Sequence, residues 1–132
     1  MEAKIIIASA RDAEDIMKME FELFKKWDSI DEIDHIEKIW FLSKEHKEMV
    51  LTYLKNSNNH MFIAQIENKT VGYLKAEIVE REPFLKKVGY ISETYILPNY
   101  RGKKIGSKLL DEAIKWFKEN KIFMDNSIDT CS

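Results

Sequence analysis

The spacing of apolar residues changes period at one place in this chain, the polar run Asn56-Ser57-Asn58-Asn59, and that change limits the folds open to it. Before the run, Ala13, Ile16, Met17, Phe21, Phe24 and Trp27 fall on one helical face, with Glu20 the single interruption. After it, His60 to Ile66 and Thr70 to Glu80 read as strands joined by a short hairpin turn, Glu67-Asn68-Lys69. Arg81-Glu82-Pro83 breaks the second of these, and Val88 to Leu97 reads as a third strand, stopped by Pro98-Asn99. Helical spacing then returns from about Ile105 to Asn120, with Leu109, Leu110, Ala113, Ile114 and Phe117 on one face.

The flanking segments complete the outline. Lys4-Ile5-Ile6-Ile7 reads as an opening strand because β-branched residues dominate it. Ser9 with Asp12 three positions later resembles a capping box. A short helical piece is expected through Ile33, Ile36 and Trp40, and Ser43 is placed to cap a further helix with Met49, Val50, Tyr53 and Leu54 inward. Ile122 to Asp129 is the expected last strand. The order predicts an α/β (α+β) layered domain, residues 1–132, with a mixed, mostly antiparallel sheet and a parallel strand–helix–strand crossover at the end.

Composition removes several function classes. A net charge of −2 argues against a nucleic-acid-coating protein. The chain has one cysteine, Cys131, so no intramolecular disulfide forms, and no Cys/His cluster has metal-site spacing. His35, His46 and His60 share no spacing suited to a metal or a triad, which leaves surface or capping roles. The run Ile5-Ile6-Ile7-Ala8 is too short for a signal-peptide core, and no apolar stretch has bilayer-spanning length. A reducing, cytoplasmic setting without membrane or metal is the simplest expectation.

The chemistry concentrates between the third strand and the following helix, in Tyr95-Ile-Leu-Pro98-Asn-Tyr-Arg101-Gly-Lys-Lys104-Ile-Gly106-Ser107. The first N–H groups of a helix have no intrahelical acceptor, and the helix dipole places positive charge there. A diphosphate fits such a place when the nearest side chains are small. Gly102, Gly106 and Ser107 are small, and Arg101, Lys103, Lys104 and Lys108 bring cationic charge. The glycine spacing matches neither a Walker loop nor a dinucleotide fingerprint. On these residues alone, a tight turn with a solvated basic face stays open beside an anion site.

This segment resembles the acetyl-CoA motif of the GNAT acetyltransferase superfamily, Gln/Arg-x-x-Gly-x-Gly/Ala, reached from a strand and a proline. Here it stands as Arg101-Gly102-Lys103-Lys104-Ile105-Gly106, and Ile7 to Ile16 looks like the family's opening strand and first helix. The resemblance implies a GNAT-like acyl-CoA N-acyltransferase fold and an enzyme that moves the acetyl group of acetyl-CoA to a primary amine. Lys104 departs from the motif, whose first glycine falls there; with helical backbone angles a lysine costs no strain. The family usually continues with a further helix and hairpin, whose tyrosine often protonates the departing thiolate. No tyrosine follows Tyr100, so no general acid is assigned, and the C-terminally shortened fold is expected to present its last strand as an edge for a homodimer.

The resemblance also implies site residues. Main-chain groups of Thr94, Tyr95 and Ile96 are expected to pair with the pantetheine arm, and Arg101 to Ser107 to hold the diphosphate. The Ile96 N–H would polarise the thioester carbonyl. Glu93 is the candidate base for the acceptor amine. Asp28, Asp31, Glu32 and Asp34 would either border the acceptor site and favour a cationic small-molecule or peptide amine or form a solvated acidic loop, with Trp27, Trp40 and Phe41 as lining or core. Alternatives are a catalytically impaired acetyl-CoA binder and an interaction domain with no specific ligand.

Overall fold

A computed structural model describes residues 2–25, 40, 42–81 and 86–124. The elements are β1 (Lys4–Ile7), α1 (Ala13–Lys25), α2 (Lys44–Lys55), β2 (Asn59–Ile66), β3 (Lys69–Arg81), β4 (Lys86–Ile96), α3 (Ile105–Glu119) and β5 (Phe123–Met124). Single helical turns at Ala10–Asp12 and Pro98–Tyr100 precede α1 and α3. The chain divides into two compact units, Ala8–Asn56 and Met1–Ile7 with Ser57–Ser132. Trp27, Asp28, Asp31, Glu32, Ile33, Asp34, His35, Ile36, Phe41, Pro83, Cys131 and the later part of the last strand lie outside the described residues.

The sheet unit orders its strands β1-β2-β3-β4-β5. The first four are antiparallel and β5 joins β4 in parallel, after the α3 crossover. The β2–β3 hairpin is tighter than its sequence suggests. Ile66 pairs with Lys69, leaving only Glu67 and Asn68 in the turn, both left-handed at φ 52° and 66°. That is the primed turn whose twist matches the strands it joins.

One sheet face packs on α3, with Phe62, Ala64, Leu74 and Ala76 against Ile105, Leu109, Ala113 and Phe117. Gly89 lets the helix approach, since a Cβ there would meet the Phe117 ring at 2.7 Å. The other face buries Met61, Ile63 and Tyr73. Alternation along β2 and β3 produces both faces from one sequence.

In the helical unit, the Asp12 carboxylate accepts from the Ser9 N–H at 2.8 Å, and Ala13, Ile16, Met17, Met19 and Phe21 are buried. Ser43 caps α2 through its hydroxyl, which accepts from the His46 N–H at 3.2 Å. The inward stripe of α2 runs through His46 and Val50, with Tyr53 and Leu54 half-buried, and turns Met49 outward at 59% exposure. Met49 is therefore not a core residue, and His46 is not a surface one. Its Nε2 lies 3.2 Å from Oε1 of the buried Glu20, which explains the charge interrupting the apolar face of α1. His60 also departs from a surface role: it is half-buried and stacks on Trp116 at 3.9 Å between centroids, and burial lowers its pKa below 6.5.

Candidate cofactor and active site

The loop entering α3 is built by conformation more than by side chains. Leu97 N–H donates to Val71 C=O at 2.8 Å, tying the end of β4 to β3. Pro98 then starts a single turn whose proline-fixed φ suits a helical first position. Gly102 (φ 78°) and Lys104 (φ 62°, ψ 20°) are both left-handed and redirect the chain into α3. The next backbone bond is Lys108 N–H to Lys104 C=O at 3.2 Å. Among the described residues, the N–H groups of Lys104, Ile105, Gly106 and Ser107 donate to no protein acceptor, and no side chain caps the helix. Successive unused N–H groups at a helix start form an anion site.

The glycines of this loop differ in kind from those of the sheet. A Cβ on Gly72 would meet Ile96 Cδ1 at 2.6 Å and the Tyr95 carbonyl oxygen at 3.0 Å, so packing forbids it. A Cβ on Gly106 meets nothing within 4 Å, nor does one on Gly102. Glycine early in a helix costs roughly 0.5–1 kcal/mol relative to alanine, and no neighbour in the protein requires Gly106. The clear space above it lies beside the unused donors of the first helical turn and has room for a diphosphate.

Lys104 does not have the helical angles under which lysine is free of strain. In the left-handed region its Cβ crowds the backbone at a cost of about 1 kcal/mol, which the motif's glycine avoids. Its side chain is exposed, and the Lys103 ammonium lies 5.5 Å over the Tyr100 ring. Arg101 turns back along β4: its Nε donates to the Ile96 carbonyl at 2.9 Å, and its guanidinium lies 5.3 Å from the Tyr95 ring centroid.

Beside this loop, the edge of β4 beyond Gly89 is uncovered by any described strand. Among the described residues, β5 pairs with β4 only at Val88 and Gly89. Backbone direction alternates along a strand. Because Leu97 N–H points to β3, so do the N–H and C=O of Tyr95, while those of Thr94 and Ile96 point to the open side. The Arg101 bond to Ile96 C=O agrees with that direction. The main-chain trio expected from the sequence thus narrows to Thr94 and Ile96, because the sheet itself engages Tyr95.

Glu93 lies two residues before Tyr95 on the same face of β4. A β-bulge at Ser92 sets its register, since Ile91 faces Ala76 while Glu93 faces Lys75. The Tyr73 hydroxyl donates to Glu93 Oε1 at 2.8 Å, and the Lys75 ammonium donates to Oε2 at 3.3 Å. Side-chain exposure of Lys75 and Glu93 is only 16% and 19%. Ser92 points elsewhere, its hydroxyl donating to Glu77 at 3.2 Å. The sequence reading missed Tyr73 and Lys75. Their i, i+2 spacing puts them on one face, but only the cross-strand register brings that face to Glu93.

Over residues 27–128 the chain matches the Acetyltransferase (GNAT) family. It belongs to that family. This GNAT chain is 34% identical over 71 residues to an uncharacterized N-acetyltransferase of Archaeoglobus fulgidus, covering 50% of this chain and 46% of that one. It is 26% identical over 101 residues to an N-alpha-acetyltransferase of Saccharolobus solfataricus, covering 72% and 60%. The match thus spans about half the length of these curated relatives. In structure it resembles a PaiA N-acetyltransferase of Thermoplasma acidophilum in complex with coenzyme A, with TM-score 0.73, 25% identity and coverage of 92% of this chain and 76% of that one. The GNAT fold expected from the sequence is the fold found. Among the described residues there is no cluster of His, Cys, Asp or Glu suited to a metal ion, and no helix long and apolar enough to cross a membrane.

Proposed function

We propose that this GNAT chain transfers the acetyl group of acetyl-CoA to a primary amine of a small molecule or peptide by direct attack. One observation carries the reading: the unused N–H groups from Lys104 to Ser107 follow the end of β4, which no described strand covers beyond Gly89. Those N–H groups hold the diphosphate, with charge from Arg101, Lys103 and Lys104 and with Ile105 setting the first helical turn. The edge groups of Thr94 and Ile96 take the pantetheine arm as a strand takes a neighbour, and the ring of Tyr95 steadies Arg101. When bound, acetyl-CoA supplies the activated acetyl group.

Alkylamines are protonated at neutral pH, so a base is needed before attack. Glu93 accepts the proton from the amine nitrogen, directly or through water, and frees its electron pair. That pair bonds to the thioester carbon, the carbon–sulfur bond breaks, the nitrogen gives up its second proton to solvent, and the departing thiolate takes a proton from solvent. The Ile96 N–H donates to the carbonyl oxygen as negative charge gathers there. The likeness to an N-alpha-acetyltransferase supports an amino-terminal amine among the acceptors to be tried. The reading includes a homodimer through the β5 edge, checked by light scattering.

Calorimetric titration of acetyl-CoA tests the cofactor half, and absence of binding at millimolar ligand overturns it. Thiol release with spermidine, kanamycin and an alanine-led peptide tests the transfer half. Silence across that panel with binding intact replaces the enzyme with a non-catalytic binder. Glu93→Gln is expected to slow turnover while leaving acetyl-CoA affinity unchanged.

A further inference from the structure

We infer that Lys75 is a positioning residue that fixes the Glu93 carboxylate for proton abstraction, with the Tyr73 hydroxyl as its second clamp; this rests on the reading of Glu93 as the base. Lys75 stands on a sheet face where the neighbouring strand positions, Met61, Ile63 and Tyr73, are buried. At 16% side-chain exposure the lysine gives up much of its hydration, and its cross-strand partner Glu93 does so at 19%. Ion pairs of such burial add little stability over apolar pairs of similar size. Orientation is what this one supplies.

A glutamate on a strand turns about three side-chain bonds, and most of its rotamers point the carboxylate away from any one acceptor. Here each oxygen has its own anchor on β3, Tyr73 on Oε1 at 2.8 Å and Lys75 on Oε2 at 3.3 Å. Two anchors from one strand set both the position and the plane of the carboxylate. Each oxygen keeps a further lone-pair direction for an incoming N–H. The bulge at Ser92 completes the device, because without it the register would place a different β4 residue opposite Lys75.

The test compares Lys75→Met, Lys75→Gln and Lys75→Arg with Glu93→Gln and the double variant Lys75→Met/Glu93→Gln. Turnover is followed by thiol release using whichever of spermidine, kanamycin or the alanine-led peptide reacts fastest. Acetyl-CoA affinity is read by calorimetry. Loss of the clamp is expected to lower kcat about 10- to 100-fold, as misplacement of a catalytic group does, with KM for acetyl-CoA and its affinity unchanged. Lys75→Arg is expected to restore most of the rate, because it returns both cation and donor. In the Glu93→Gln background, Lys75→Met is expected to cause no further loss.

Independent, multiplying losses in the double variant, or a normal kcat in both Lys75→Met and Lys75→Gln, overturn the role of Lys75 and leave Glu93 in place. A normal rate in Glu93→Gln, or silence of the whole panel, removes the base reading and this inference with it. If Lys75→Met fails to fold, Lys75→Gln, polar but uncharged and one atom too short to reach as lysine does, removes the clamp in its place, and the same comparison is made with it.

Discussion

Lys104 and Gly106 sit two residues apart and break the ordinary preferences of their positions in opposite ways. Lys104 has φ 62°, where lysine is strained, and Gly106 has a helical place with open space where a side chain would fit. Lys104→Gly exchanges left-handed strain for unfolded-chain entropy, and a net gain of roughly 0.5 kcal/mol or more is expected in urea unfolding. Gly106→Ala is expected to stabilise the free protein by up to about 1 kcal/mol and to weaken acetyl-CoA binding at least several-fold, read by thermal unfolding and calorimetry. Alanine that stabilises without harming affinity would show that the space over Gly106 is not the diphosphate site. Both residues were visible as a motif in the sequence; the left-handed angle at Lys104 was not, because it follows from how the loop closes between β4 and α3.

At the scale of elements, packing decided what periodicity left open. Helical spacing found α1 and α3, but Glu20 looked like a flaw until α2 placed His46 against it at 3.2 Å. Glu20→Ala is expected to destabilise by about 1–3 kcal/mol, more than Glu20→Gln, which keeps an acceptor for the ring; chemical denaturation separates the two. His60 on β2 stacks on Trp116 of α3, and burial lowers its pKa from 6.5. The unfolded chain then binds the proton more readily than the folded one. Stability from this site is therefore complete above about pH 6.5 and falls as pH drops from there toward the lowered folded value. His60→Phe is expected to remove that part of the pH dependence in thermal melts taken between pH 7.5 and 5, with the aromatic stack retained.

For the whole molecule, the proposed cofactor site is tested by what acetyl-CoA does to the stability of the fold. A ligand that holds only the folded state stabilises it by about 2.7 kcal/mol at a hundred times its dissociation constant. Acetyl-CoA at that excess is expected to raise the melting temperature by several degrees, and dephospho-CoA or free pantetheine by less. An equal shift with pantetheine alone would remove the diphosphate from the argument.

The sequence alone determined the order of strands and helices, the parallel crossover, and the place of the glycine-containing loop from Arg101 to Ser107 at a helix start, because these follow from local spacing and backbone chemistry. It also carried the likeness to the family that the chain belongs to. Cross-strand relations were out of its reach: Glu93 beside Lys75 and Tyr73, the edge direction of Thr94 and Ile96 but not Tyr95, and Glu20 beside His46. Register and helix rotation set those neighbours, and a single bulge such as the one at Ser92 changes which residues meet. Only the tertiary structure decides such meetings, since they join residues 18 to 26 positions apart whose local sequences hold no record of each other.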